Sequence, residues 1–371
     1  MGSRIVLLGA TGHTGRLTAE ALARAGSRPL LVGRDPHKLT GLATSLDGET
    51  ETAVVDVTST EGELALRDLL APGDVLVSTV GPFLKYGETA VRAATETGAK
   101  YLDSTGEPPF VRTVFTRFGP LAERSGAGLV TAFGYDYVPG NLAAELALRR
   151  ADPERARRVE IGYFMTNIKG RAFSRGTMVS LAGVLGETSY TFADGQLRDE
   201  PPAQRVADFP AGDRVRQAVS IGASEHFALP AAHPNLVDVD VYLGWFGKST
   251  RSVSQASRIG AKVPVLTTAA SRIAGMVASR LPEAPDPRSE LASAAVVAIV
   301  RSGDGQRLAE VELRGASPYR FTAEMLAWGA RKALEGGMSG TGALGPVAAF
   351  GLDELEAGCA QAGLRQHRAE S

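Results

Sequence analysis

Three glycines spaced three residues apart, Gly9, Gly12 and Gly15, stand between the apolar run Ile5–Leu8 and a segment of helical spacing. That segment carries Leu17, Ala21, Leu22 and Ala25 and closes at Gly26. A continuous apolar run reads as a buried parallel strand, so the order is strand, turn, helix. In such a turn the first glycine allows the tight bend, the second lets backbone approach a diphosphate, and the third lets the helix close on the strand. The free N–H groups and the dipole of the helix start then favour a phosphate. In this context the spacing is far more specific than a bare glycine triplet. The residues expected at a dinucleotide are Gly9, Thr11, Gly12, His13, Thr14 and Gly15.

The second strand, 29–33, ends at Gly33, where a nucleotide fold that holds a free ribose 2′-hydroxyl would carry Asp or Glu. Arg34 follows at once and Lys38 four residues later. A small residue with two cations suits a 2′-phosphate, so the expected cofactor is NADP(H). An arginine there can grip phosphate bidentately or stack on adenine; a solvated helix start is the alternative. Asp56 and Val57 end the third strand, 52–57, where they would flank the adenine. Thr79, Val80, Gly81 and Pro82 end the fourth strand, 74–80, and are expected at the nicotinamide ribose.

With such a cofactor the protein adds mainly positioning and a proton donor or polarising group. Candidates follow the strand ends on the side where ligands bind in open α/β sheets. Tyr86, Asp103 and Asp136 are the expected catalytic groups; Lys85, Tyr135 and Arg175 are expected to meet substrate. Each has a plainer reading: Tyr86 as a packed aromatic, Asp103 as a cap or ribose contact, Asp136 as a turn former and Arg175 as a surface cation. The five histidines are scattered and Cys359 is the single cysteine, so no metal site and no internal disulfide is expected. None of the eight tyrosines has Lys four residues on, which argues against the Tyr/Lys mechanism of short-chain dehydrogenases.

These groups need a frame. Strands at 5–8, 29–33, 52–57, 74–80, near 100–103 and at 128–133 alternate with helical stretches, the fourth of them at 87–98, which predicts a doubly wound parallel sheet. From Arg158 the periodicity changes to two, in VEIGYF, SYTF, VDVDVYL, AAVVAIV and AEVELRG. The last two are joined through Gly303-Asp304-Gly305, a hairpin signal. A mostly antiparallel sheet is expected there, with helices near 176–187 and 251–281, a mobile loop at 200–213 and a linker at 282–288. Helices at 321–335 and 352–363 should close the chain. The expected domains are 1–150, 151–320 and 321–371.

Across 371 residues the chain is 44% hydrophobic and 22% charged with a net charge of −1, which gives no electrostatic reason to expect nucleic acid or an anionic membrane. No apolar run is long enough to span a bilayer. The first strand leaves no room for a signal peptide, so a cytoplasmic location is expected. Exposed strand edges in the second region would allow a homodimer.

The motifs GATGHTG, VGR, STVGPFLKYGE, YLDSTGE and GYDYVPGN occur in order, followed by Arg175-Gly176-Thr177 and GPVAAFG. Together they resemble the saccharopine dehydrogenase-like NADP-binding oxidoreductases, a group similar to saccharopine reductases and trans-acting enoyl reductases. The resemblance implies an N-terminal Rossmann domain, an inserted α+β domain for substrate or dimer contacts, and C-terminal helices returning to the first domain. It implies NADPH-dependent reduction of a C=C or C=N bond in a specialised or lipid metabolite, free or carrier-bound. A non-catalytic NADP sensor and a carbonyl reductase stay open as alternatives.

Overall fold

The computed structural model describes residues 2–46, 49–166, 174–184, 187–261, 276–278, 280–282, 284, 286, 292–315 and 317–367. They form two compact units. One comprises Met1–Gly106, Phe110–Asp136 and Tyr319–Gly351; the other comprises Glu107–Pro109, Tyr137–Pro318 and Leu352–Ser371.

The first unit is built on a parallel sheet. Its strands are β1 (Ile5–Leu8), β2 (Leu30–Gly33), β3 (Thr52–Val54), β4 (Val75–Ser78), β5 (Lys100–Asp103) and β6 (Gly128–Val130). They run in the order β3-β2-β1-β4-β5-β6, with the short strand Gly342–Ala343 added beside β6. Every pairing is parallel. The order reverses between β1 and β4, which opens a crevice at their carboxyl ends. β1, β2 and β4 are buried throughout, as their apolar runs require. Val6, Leu8, Val32 and Leu76 share one core with Phe83 and Val91 from the helix Phe83–Thr97. That helix starts earlier than the expected 87, because the N–H groups of Lys85 and Tyr86 already bond to the carbonyl of Pro82 at 3.1 and 3.0 Å.

Two strands stop short of expectation. β3 ends at Val54, after which Asp56 turns the chain into the helix Thr60–Asp68. Ser59 caps that helix, its hydroxyl accepting from the Gly62 N–H at 3.0 Å. Ser59→Ala is therefore expected to cost about 1 kcal/mol, read as a lower urea midpoint with an unchanged slope. β6 ends at Val130 because Ala132 adopts φ 58 and its N–H turns to the Asp103 carboxylate at 2.9 Å.

The second unit holds a nine-stranded mixed sheet. Its strands are β7 (Ala156–Thr166), β8 (Ser189–Ala193), β9 (Gln196–Glu200), β10 (Val206–Ala211), β11 (Arg214–Ser220), β12 (Asp238–Leu243), β13 (Ser293–Ser302), β14 (Arg307–Gly315) and Leu364–Gln366. All neighbours are antiparallel except β12 and β7, which run parallel. The 200–213 stretch, expected as a mobile loop, contains β10, paired with β11 from Val206↔Val219 to Ala211↔Arg214. Pro210 fits because β10 is an edge strand. Helices run Arg175–Val184 and Thr250–Gly260, close to two of the expected ones; positions 262–275 of the latter, and much of the expected linker, lie outside the described residues.

The unit boundaries differ from those read in sequence. The helix Val138–Arg150 groups with the second unit, where it lies against β13 and β14 and is buried from Val138 to Leu148. Residues 352 onward also group there, since Leu364–Gln366 extends the sheet along β14. Gly315 makes that approach possible: a Cβ would sit 1.9 Å from the Gly363 carbonyl oxygen. Among the described residues no helix is long and apolar enough to cross a membrane.

Candidate active site

The glycine turn behaves as its spacing demands. Gly9 has φ +81, and a Cβ there would lie 2.8 Å from Thr79 Oγ1. At Gly15 a Cβ would lie 2.1 Å from the Gly9 carbonyl oxygen, so only glycine lets the helix His13–Arg24 close on β1. Gly12 precedes that helix in extended backbone, and a Cβ there would have only the Gly9 oxygen near it, at 3.4 Å. The space above Gly12 is open, as a diphosphate against the helix start requires. The N–H groups of Gly9 and Ala10 bond to the Val32 carbonyl at 2.9 and 3.2 Å, which ties the turn to β2. Thr79 Oγ1 lies 3.1 Å from the carbonyl oxygens of both Leu8 and Gly9, so its hydroxyl joins the end of β4 to the turn. This cradle fits a dinucleotide.

At the end of β2, a Cβ on Gly33 would lie 3.7 Å from Thr11 Oγ1, which puts the two expected contacts side by side. Arg34 and Lys38 are exposed. Asp35, the one acid in this stretch, is committed elsewhere: its Oδ1 accepts from the N–H groups of His37 and Lys38 at 3.0 and 3.1 Å and caps the helix Pro36–Leu46. Asp56 Oδ1 accepts from Thr58 Oγ1 at 2.7 Å and Thr58 N at 3.0 Å. These bonds, with a lesser contribution from the Arg34 charge, hold its carboxyl below the usual range. Arg34 is thus close enough to β3 to act on Asp56, while Val57 packs into the core.

A line of loop contacts runs along the carboxyl ends from β4 to β6. Ser104 N donates to the Ser78 carbonyl at 3.3 Å. Asp103 is fully enclosed; its Oδ1 accepts from Thr105 N and Ala132 N, both at 2.9 Å, and its Oδ2 accepts from Thr131 Oγ1 at 2.7 Å. Burial pushes its pKa up to about 6 against the pull of those bonds. Its side chain braces the loop after β6. Asp136 ends that loop, is partly exposed, and has a carboxyl oxygen 2.8 Å from the position of a Cβ on Gly106. Burial pushes the Asp136 pKa up to about 7.

Tyr86 is half-buried in the first turn of its helix, with Lys85 Nζ 4.9 Å from its ring centroid. Tyr135, expected at the substrate, instead faces inward at 2% exposure; its N–H donates to Thr322 Oγ1 at 3.0 Å and its ring meets Phe321 edge-on. Tyr86, Asp103 and Asp136 all belong to the first unit, whereas Arg175 opens the helix Arg175–Val184 of the second. Among the described residues no group of His, Cys, Asp or Glu could hold a metal. Sequence reading missed Tyr319, whose ring meets His13 at 5.1 Å. No local signal links residues three hundred positions apart; only the return of the C-terminal segment hinted at one.

Comparison with known proteins agrees with this cradle. Residues 5–129 match the family described as saccharopine dehydrogenase NADP binding domain. A candidate trans-acting enoyl reductase of Mycobacterium tuberculosis is 35% identical over 188 residues, 50% of this chain and 45% of that protein. A trans-acting enoyl reductase of Mycobacterium ulcerans is 30% identical over 208 residues, 56% of this chain and 48% of that one. In both cases the chain spans less than half the length of the relative it matches. Saccharopine dehydrogenase (L-Glu forming) from Saccharomyces cerevisiae shares the fold, with a TM-score of 0.59 at 13% identity over 100% of both chains. Residues 5–129 are thus similar to the saccharopine dehydrogenase NADP-binding domain, and the cradle they form fits an NADP dinucleotide.

Proposed function

We propose that the protein is an NADPH-dependent reductase of a C=C or C=N bond in a specialised or lipid metabolite, with Asp136 as the proton donor. NADPH, when bound, supplies a hydride to one atom of that bond. The other atom then needs a proton, and a carboxylic acid that stays protonated near neutral pH is suited to give it. The observation that carries this reading is Asp136 itself. It is partly exposed, has a pKa pushed up to about 7, and stands in the same row of strand-end loops as the glycine turn. Asp103 orders that row from beneath, and Tyr86 offers a second donor at its other side. Gly9, Thr11, Gly12, His13, Thr14 and Gly15 would hold the diphosphate, Gly33, Arg34 and Lys38 the 2′-phosphate, Asp56 and Val57 the adenine, and Thr79 to Pro82 the nicotinamide ribose.

The enoyl form of the reaction is favoured by the names of the relatives. The imine form rests on the shared fold and the same proton requirement. The substrate is a small molecule, free or carrier-bound; Lys85 and Arg175 are the cations proposed to meet its anionic groups. A cytoplasmic location and a homodimer complete the proposal.

The test is NADPH oxidation by the purified protein with enoyl thioesters and cyclic imines, beside separate titrations with NADPH and NADH. Oxidation with either substrate class and tighter binding of NADPH are expected. Tight NADPH binding without turnover on both classes would favour a sensor, and equal affinity for both nucleotides would overturn the reading of Arg34.

A further inference from the structure

The helix Pro318–Leu334 enters the first unit from the far end of the chain, and its first turn lies beside the glycine turn. The ring centroids of Tyr319 and His13 are 5.1 Å apart at an interplanar angle of 77°, an edge-on contact. His13 is the first residue of the helix that follows Gly12, so Tyr319 stands at the mouth of the cradle. Both rings are only half-buried, which leaves surface for a ligand.

The rest of the helix fixes this position. Glu324 pairs with Arg24 at 2.7 Å, tying the helix to the far end of His13–Arg24. Thr322 Oγ1 accepts from Tyr135 N at 3.0 Å, next to Asp136. At Gly134 a Cβ would lie 2.7 Å from Thr322 Cγ2, so the helix is seated against a backbone that no larger residue could occupy without a shift. These attachments, made by Thr322 and Glu324 about one turn further along the helix, position the Tyr319 ring. An aromatic held rigidly beside a binding turn contributes contact area at little entropic cost.

We infer that Tyr319 is a cofactor-contacting residue, whose ring, set against His13, forms a wall of the site for the diphosphate-bearing part of the dinucleotide. This rests on the nucleotide reading above and extends it to a segment outside residues 5–129. Because the diphosphate is common to both nucleotides, Tyr319 acts on NADPH and NADH alike, unlike Arg34.

The experiment is titration of wild type, Tyr319→Ala, Tyr319→Phe and Arg34→Ala with NADPH and with NADH, together with the melting temperature of each apo protein. Tyr319→Ala is expected to weaken both nucleotides by a similar factor, about three- to tenfold, the scale of one aromatic contact. Tyr319→Phe keeps the ring and is expected to restore affinity. Wild-type affinity for both nucleotides in Tyr319→Ala, with Arg34→Ala still selective against NADPH, overturns this inference and leaves the nucleotide reading intact. A wild-type protein that takes up neither nucleotide overturns both. If Tyr319→Ala fails to fold, Tyr319→Leu decides: an apo melting temperature near wild type with weakened binding supports a contact role, and unchanged binding overturns it.

Discussion

Asp136→Asn is expected to lower turnover by about 10²- to 10⁴-fold while leaving NADPH affinity within about twofold. The change keeps the shape of the side chain and removes its acidic proton. In the wild type the donor must be protonated, so turnover should fall about tenfold per pH unit above a midpoint near the Asp136 pKa of about 7. The variant should lose that limb. Stability gives an independent readout. The folded-state pKa of this carboxyl is raised above the 3.8 usual for an aspartate, so between the two values the folded protein holds a proton that the unfolded chain releases. Its contribution is fully present below the unfolded value and is lost as pH rises toward about 7. Asp136→Asn should flatten that fall, which between the two pKa values approaches about 1.4 kcal/mol per pH unit, the slope for one proton. Melting curves from acid to neutral pH measure it. Full turnover in Asp136→Asn would move the donor role to Tyr86 or to solvent, with Tyr86→Phe the next measurement.

The strand–turn–helix start and the positions of the parallel strands along the chain were legible because glycine spacing and apolar runs are local signals. Strand ends were less so. TAVVDV and GLVTAF read as six-residue strands, yet β3 and β6 stop at Val54 and Val130. In each case an aspartate takes over the backbone: Asp56 accepts from Thr58, and Asp103 accepts from Ala132, a bond between residues 29 positions apart. The division into compact units differs from the expected domains for a related reason. The helix Val138–Arg150 is buried nearly all round and carries no amphipathic stripe to say which sheet it covers. Tyr135 looked like a substrate contact from its place after a strand. It is buried instead, and its backbone N–H is held by Thr322, a residue 187 positions away. The glycine turn was readable from sequence, while Tyr319 and Thr322, which meet His13 and Tyr135, come from a segment whose return carries no local signature.

Arg34→Ala is expected to weaken NADPH by about 1.5–3 kcal/mol, or roughly 10- to 150-fold, and to leave NADH nearly unchanged. The two nucleotides differ only by the 2′-phosphate, so the ratio of their affinities isolates this contact. Arg34 is exposed and follows directly on Gly33, while the neighbouring Asp35 is turned back onto the amides of His37 and Lys38. The site therefore offers cations at the end of β2 for which the neighbouring Asp35 does not compete. Exposure has a second consequence: the NADPH preference should shrink as salt is raised, because the charges are screened. The opposite change is also open to test. A Cβ on Gly33 would meet Leu39 Cδ2 at 3.5 Å and Thr11 Oγ1 at 3.7 Å, ordinary contact distances. A Cβ there fits, and an aspartate would supply the acceptor that a free ribose 2′-hydroxyl requires. Gly33→Asp combined with Arg34→Ala should thus reverse the preference toward NADH, measured by titration of both nucleotides at two salt concentrations. An unchanged NADPH-to-NADH ratio in both variants would show that the 2′-phosphate is held elsewhere, and Lys38→Ala would then be the substitution that separates the two cations.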